Sequence, residues 1–113
     1  MDNCIFCKIA NGAIPSSKVY EDETVFAFRD IHPAAPVHIL VVPKKHVANV
    51  LNGAQTPGLL EKVMAIAADI AKQEGLDAAG FRLVINTGED GGQSVEHLHV
   101  HVLGGRVMAW PPG

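Results

Sequence analysis

The chain has 113 residues, 9 Lys and Arg against 12 Asp and Glu, and a formal net charge of −3. This length favours a single domain, over residues 1–113, with an ordinary hydrophobic core. No basic run exceeds Lys44-Lys45, no apolar run approaches the ~20 residues of a membrane span, and the N-terminus lacks the pattern of a secretory signal. We therefore expect a soluble cytosolic protein that binds neither nucleic acid nor a membrane.

The first predicted element is a short helix over residues 5–10, capped by Asp2 or Asn3. Cys4 and Cys7 fall on one side of this helix, three residues apart. In a reducing compartment such a pair indicates a metal or redox site more than a structural disulfide, although the signal is weak alone.

Three strands follow. Residues 19–21 and 24–29 have the pattern of a β-hairpin, with Phe26 and Phe28 on one face. A proline-stiffened loop then leads into an apolar strand over residues 38–43, which is hydrophobic enough to lie centrally in a sheet. His38 stands at the entrance of this strand.

One long amphipathic helix is predicted next. Residues 44–51 allow a short helical turn, and Asn52-Gly53 predicts a break. Thr56 provides an N-cap, Pro57 the first helical position, and Gly75 the end. Apolar residues recur between them at positions 59, 60, 63, 66, 67, 70 and 71, and the stripe predicted to pack in the core consists of Leu59, Val63, Ile66, Ala67 and Ile70.

Two more strands complete the fold, over residues 81–86 and 97–103, joined by the glycine-rich loop 88–94. The pattern predicts an α+β domain with an antiparallel sheet of about five strands. One long and one short helix are expected, with helices on one face of the sheet.

The last strand carries three histidines at a period of two. His97, His99 and His101 therefore share one face, while the branched apolar residues between them point into the core. The glycines of the preceding loop allow backbone N–H groups to converge on an anion. Imidazoles beside such a loop suggest chemistry on a phosphate or carboxylate ester, amide or anhydride.

A zinc site is the alternative, because His-x-His on a strand can supply two ligands. His97 and His101 begin about 13 Å apart, whereas zinc holds each nitrogen at about 2 Å. The row therefore cannot form one three-histidine site, and at most an end histidine joins ligands from elsewhere.

Residues 97–103 resemble the His-φ-His-φ-His-φ-φ signature, with φ apolar, of the histidine-triad (HIT) superfamily of nucleotide hydrolases and transferases. The resemblance covers most of the chain, and its tail is similar to the Hint branch, the histidine-triad nucleotide-binding proteins. The other matching segments are residues 5–9, 28–31, 36–40, 43–46, 86–88, 91–94, 104–106 and 110–113.

The resemblance implies a HIT-like fold and a homodimeric enzyme that hydrolyses the P–N bond of purine nucleoside 5′-phosphoramidates and related aminoacyl adenylates. His99 would be the nucleophile that forms a nucleotidyl-histidine intermediate. His101 would contact the phosphate and help to protonate the leaving amine, with Ser94 near that amine. His38 would belong to the same proton network, although it could equally be a structural residue at a strand end.

The resemblance also implies a site for purine nucleotides such as AMP or GMP. Asn86 and the backbone of residues 92–94 would bind the α-phosphate, and Asp30 would accept hydrogen bonds from the ribose hydroxyls. The three phosphate-binding loop residues are Gly92, Gln93 and Ser94. The apolar residues around the purine would be Ile5, Phe6, Ile9, Phe28, Ile31 and Leu40. Without the resemblance, these apolar residues would be assigned to the core.

A subset of similar proteins has the Cys-x-x-Cys pair, and there Cys4, Cys7, His46 and His97 would bind a structural zinc ion that catalysis does not require. Two reduced, partly buried thiols are the alternative. Glu96 and Ala109 replace an aromatic residue and a histidine of eukaryotic relatives, which leaves the leaving-group preference open.

Three other functions remain as alternatives. The chain could bind nucleotides as a scaffold with little turnover, or hydrolyse dinucleoside polyphosphates. A zinc ion could also activate water beside the histidines, although the spacing argues against this.

Overall fold

The computed structural model describes residues 3–113 and contains a five-stranded antiparallel sheet in the order β1-β2-β3-β5-β4. This confirms the predicted α+β fold and the pairing of the last two strands. A third helix, α2, is present in addition to the one long and one short helix expected, and it overlaps the end of the helical turn that residues 44–51 allow. In chain order the elements are α1 (Ile5–Ala10), β1 (Lys18–Glu21), β2 (Val25–Arg29), β3 (Val37–Pro43), α2 (Val50–Ala54), α3 (Leu59–Gln73), β4 (Phe81–Val84) and β5 (Val100–Gly104).

The sheet is covered on both faces, so the prediction that the helices lie on one face is wrong. Ile39 and Val41 of β3 belong to the cluster that packs under α3, whereas Leu40 and Val42 belong to a second cluster with α1. From Ile39 to Pro43 every residue of β3 is apolar and buried, and such a strand needs cover on both sides, which explains the arrangement. Within the described chain, no helix is long and apolar enough to cross a bilayer.

The predicted helix 5–10 is confirmed as α1, but its cap is neither predicted residue. Cys4 is the N-cap, and its sulfur accepts a hydrogen bond from the Cys7 N–H at 3.4 Å. Asn3 lies in the preceding turn, and Asp2 lies outside the described residues. The cap therefore holds Cys4 and Cys7 together at the start of α1.

The segment before α3 differs most from the prediction. The helical turn begins only at Val50, because the Asn49 side chain caps it by accepting from Leu51 N–H at 3.0 Å. Gly53 lies inside this helix and marks no break; a Cβ there would come within 2.9 Å of a methyl carbon of Leu98. Residue 53 is therefore a glycine because there is no room for a side chain, and not because the chain turns there.

The start of α3 is also later than predicted. The N-cap is Gly58, with φ of 77°, so the helix begins at Leu59 and not at Pro57. Gly75, with φ of 78°, follows the end of the helix as expected.

The histidine segment joins the sheet later than expected, since β5 begins at Val100. Residues 97–99 precede it and are anchored through Leu98, whose N–H donates to the carbonyl of Val47 at 2.7 Å. The predicted alternation holds, because Leu98, Val100 and Val102 all lie in the core. The histidines are thus left on the other face of the segment, the side on which α1 packs.

Candidate active site

His99 is a buried histidine with one ring nitrogen directed into the candidate site. Its Nδ1 lies 2.7 Å from the carbonyl oxygen of His97, which can only accept, so Nδ1 carries the proton. The lone pair of the neutral ring is therefore on Nε2. Burial lowers the pKa of His99, and the edge-on ring of Phe6, 5.0 Å between centroids, contributes to that burial.

His101 and His38 form a second pair beside His99. The rings of His99 and His101 are 4.9 Å apart, and His101 Nδ1 lies 2.9 Å from His38 Nε2. Burial, with smaller contributions from His99 and His38, lowers the pKa of His101 to about 4. Burial also lowers the pKa of His38, partly offset by Asp30, whose Oδ2 lies 3.5 Å from His38 Nε2. The site therefore contains neutral imidazoles around neutral pH.

Four potential metal ligands meet on the other side of His97. The Nδ1 of His97 lies 3.3 Å from the sulfur of Cys4 and 3.5 Å from that of Cys7, and His46 Nδ1 lies 3.4 Å from Cys7. Burial, together with the adjacent Cys4, raises the pKa of the Cys7 thiol. All four ligand atoms lie within 4.8 Å of one another.

The chemistry of this donor set fits zinc. His97 donates its Nε2–H to the Pro43 carbonyl at 2.7 Å, which leaves the Nδ1 lone pair facing the two cysteines. Sulfur and nitrogen ligands on a tetrahedral zinc ion are about 3.6 Å apart, close to the separations here. The structure thus brings together all four residues that the sequence predicted as a zinc set.

The glycine-rich loop is shaped by three glycines with different roles. Gly88 and Gly92 have positive φ, and a Cβ at Gly91 would lie 2.3 Å from the Thr87 oxygen. The N–H groups of Gly92 and Gln93 donate to carbonyls within the loop, so they are not free to bind an anion as expected.

Gln93 and Ser94 differ in whether they have hydrogen-bonding groups left to bind a ligand. The Gln93 amide is engaged at both ends, accepting from Gly88 N–H and donating to the carbonyls of Ala48 and Val95. Its side chain therefore fixes the loop. Ser94 is exposed, and its N–H has no protein partner within residues 3–113. Among the three predicted phosphate-binding residues 92–94, Ser94 is therefore the one whose backbone N–H is left for a ligand within the described chain.

The expected purine-binding residues separate into two groups. Phe6, Ile9, Phe28 and Leu40 are buried together in the cluster under α1. Ile5 and Ile31 are 47% and 84% exposed. Asp30 and Asn86 are half-buried, and Asp30 also accepts from His32 N–H at 2.8 Å. Only the exposed members present apolar surface to a ligand without rearrangement.

Two backbone groups important for the site were missed at the sequence level. They are the N–H of Ala34, which donates to His38 Nδ1 at 3.0 Å, and the carbonyl of Pro43. Backbone groups carry no residue-type signal, so no pattern could have identified them.

An open groove of about 750 Å³ behind α1, lined by Cys7 among others, includes none of the triad histidines.

Comparison with known proteins assigns the family. The model of the HIT domain family matches residues 11–108. The chain is 53% identical over 114 residues to a 14 kDa zinc-binding protein of Zea mays, covering 96% of this chain and 87% of that protein. It is 52% identical over 114 residues to the adenylylsulfatase HINT1 of Arabidopsis thaliana, covering 96% and 76% respectively.

A solved structure agrees with these sequence matches. The crystal structure of a HIT family hydrolase from Legionella pneumophila superposes with a TM-score of 0.94 at 50% identity, covering 98% of this chain and all of the other. The chain therefore belongs to the HIT domain family, as its triad predicted, and the named relatives are consistent with the Hint branch.

Proposed function

We propose that the protein is a hydrolase that cleaves the P–N bond of purine nucleoside 5′-phosphoramidates, and the related acyl phosphate bond of aminoacyl adenylates, through a nucleotidyl-His99 intermediate. The observation that carries the proposal is the hydrogen bond from His99 Nδ1 to the His97 carbonyl. It leaves a neutral nitrogen, Nε2, with a lone pair for attack on phosphorus without prior loss of a proton.

The reaction proceeds in two displacements. His99 Nε2 forms a bond to the α-phosphorus, the substrate P–N bond breaks, and the amine leaves with its bonding electrons and a proton delivered from the side of His101 and Ser94. Water then attacks the phosphorus and gives up a proton to His101, which restores the acid, while the bond between phosphorus and His99 Nε2 breaks with its electron pair returning to the ring and AMP or GMP is released. The free N–H of Ser94 supports charge on the phosphoryl oxygens during both steps.

The nucleoside is assigned to the surface between α1 and the loop after β2. Asp30 provides a half-buried carboxylate for the ribose hydroxyls, with Asn86 near the phosphate. Ile5 and Ile31 would contact the purine directly, and the buried Phe6, Ile9, Phe28 and Leu40 would contribute to its site after a local rearrangement. The adenylyl substrate in the name of the Arabidopsis relative supports a nucleotide with an adenine base.

We infer a structural zinc ion at Cys4, Cys7, His46 and His97. The donor set and the name of the maize relative support this assignment. Zinc would crosslink α1 to the segment before β5, and the catalytic groups are the chain's own imidazoles. A single domain, a homodimer and a cytoplasmic location complete the proposal, and the Cys-x-x-Cys pair agrees with a reducing compartment.

The decisive experiment is intact-mass analysis after rapid quench with an AMP phosphoramidate. The wild type should show a transient adduct of one AMP, and both His99→Ala and His99→Gly should lack it. Gln73→Ala is the control, because Gln73 is an exposed residue at the end of α3, which packs on the face of the sheet opposite to the histidines. An adduct that persists in the His99 variants would contradict the assignment of the nucleophile.

Tight AMP binding without turnover would instead support a scaffold. Faster turnover of dinucleoside polyphosphates than of phosphoramidates would support the other alternative.

A further inference from the structure

The orientation of His38 is determined by a backbone group. Ala34 N–H lies 3.0 Å from His38 Nδ1 and can only donate, so that nitrogen must present a lone pair. Protonation of Nδ1 would break this hydrogen bond in a residue that is only 7% exposed. The proton of a neutral His38 therefore resides on Nε2.

The protonated Nε2 of His38 in turn determines which nitrogen of His101 carries a proton. His38 Nε2 lies 2.9 Å from His101 Nδ1, and the carboxylate oxygen of Asp30 lies 3.5 Å from the same Nε2. A negative charge on this side favours the proton there. Because His38 donates, His101 Nδ1 must accept, and the proton of a neutral His101 is on its Nε2.

We propose that His38 is a positioning residue that sets the tautomer of His101, so that His101 presents an Nε2–H to the substrate while its neighbour His99 presents an Nε2 lone pair. The two rings, 4.9 Å apart, are thus held in opposite tautomers. One can attack and the other can donate while both are neutral. The roles of the two rings in attack and proton donation rest on the proposed function, whereas their tautomers follow from the hydrogen bonds alone.

A metal ion between Asp30, His38 and His101 is excluded by the same bond. These three residues form a group of potential ligands. Coordination through His38 Nε2, with Nδ1 accepting from Ala34, would require the ring to lose both protons. His97 shows the opposite arrangement, because its Nε2–H is used by Pro43 and its Nδ1 lone pair is free.

The test is long-range ¹H–¹⁵N NMR of the histidine rings in the full-length, zinc-supplemented protein without substrate. In the wild type, His38 and His101 should both show the Nε2–H pattern and His99 the Nδ1–H pattern. His101 in the Nδ1–H form, or His38 protonated on Nδ1 at neutral pH, would overturn the proposal. The ring signals that disappear in His101→Gln are assigned to His101.

Two substitutions of His38 separate positioning from simple packing. His38→Leu removes the donor, so His101 should populate both tautomers. His38→Gln restores an N–H at the position of Nε2, so the Nε2–H form of His101 should return. His32→Leu is the control and should leave the His101 signals unchanged. An unaltered His101 tautomer in His38→Leu would contradict the proposal.

Kinetics with the AMP phosphoramidate provide the second readout. Loss of the correctly directed proton should lower kcat in His38→Leu by about 100-fold, with a smaller change in KM, and His38→Gln should recover most of it. Equal loss in both variants would argue against a role in setting the tautomer. If the spectra agree but the wild type shows no turnover, the proposed function fails and the tautomer assignment stands.

Discussion

His97 contributes to two neighbouring sites through different atoms. Its side-chain Nδ1 faces Cys4 and Cys7, and its carbonyl oxygen accepts the Nδ1–H of His99. Any change in the cysteine cluster that moves the His97 backbone must therefore also move the ring of His99, the proposed nucleophile. The proposed zinc ion would therefore influence the orientation of the His99 ring through the His97 backbone, without itself contacting the proposed substrate.

The zinc assignment predicts a stability effect at Cys7. Cys7→Ser should lose zinc, and the wild type should lose roughly 3–4 kcal/mol of unfolding free energy on chelation if it is saturated at 100 to 1,000 times Kd. Metal analysis and urea unfolding with and without EDTA measure both effects. Chelator should have no further effect on Cys7→Ser, which serves as the control. A wild type purified without zinc and not stabilised by its addition would contradict the assignment.

The buried imidazoles predict a loss of stability in acid. Because the pKa of His101 is lowered from 6.5 to about 4 and that of His38 is also lowered, the unfolded chain binds these protons first as pH falls. Their contribution is therefore fully present above about pH 6.5 and is lost progressively down to about pH 4.

Urea unfolding of wild type and His101→Gln over this range tests the prediction. Glutamine does not titrate, so the variant should lose less stability than the wild type on acidification. Parallel losses in the two proteins would show that His101 does not contribute to the acid sensitivity.

At the scale of elements, β5 lies inside the sheet between β3 and β4 and places His101 beside His38. The period-two pattern predicted which side chains of this segment face the core, since alternation depends only on strand geometry. It did not predict where pairing with β3 and β4 begins, because that depends on partners distant in sequence. Asn49, Asn52 and Thr56 all carry cap or turn signals, and only tertiary packing selects Asn49 as the cap.

Gly104 at the end of β5 is a position where added volume should be costly. A Cβ there would lie 2.6 Å from a methyl carbon of Leu76, which is itself only 6% exposed. Gly104→Ala should therefore destabilise the protein by about 1–3 kcal/mol, even though alanine is otherwise better tolerated in strands. Thermal or urea unfolding provides the measurement.

The control is Gly113→Ala, because no atom of residues 3–113, apart from its neighbour in the chain, lies within 4 Å of a Cβ at that glycine. In a double-mutant cycle with Leu76→Ala, the combined cost should be smaller than the sum of the two single costs by about 1 kcal/mol. Strict additivity would show that the clash with Leu76 is not the cause.

At the scale of the whole molecule, β4 occupies one edge of the sheet, and Phe81 at its start is 38% exposed. Val107 and Trp110 in the C-terminal segment are exposed to 92% and 82%. Unpaired edges and large exposed apolar groups are features that a second copy of the chain can cover. Sedimentation equilibrium should accordingly give twice the monomer mass. A monomer at all accessible concentrations would contradict the proposed dimer.

The interior position of β5 also affects how the chain is assembled on the ribosome. The strands β1, β2 and β3 pair in the order in which they are made, but β4 emerges before the strand that connects it to them. Until residues 100–104 have left the exit tunnel, β4 has no neighbour within the sheet, and the three histidines cannot align against β3. The sheet and the histidine row are therefore completed together, in one step that waits for β5.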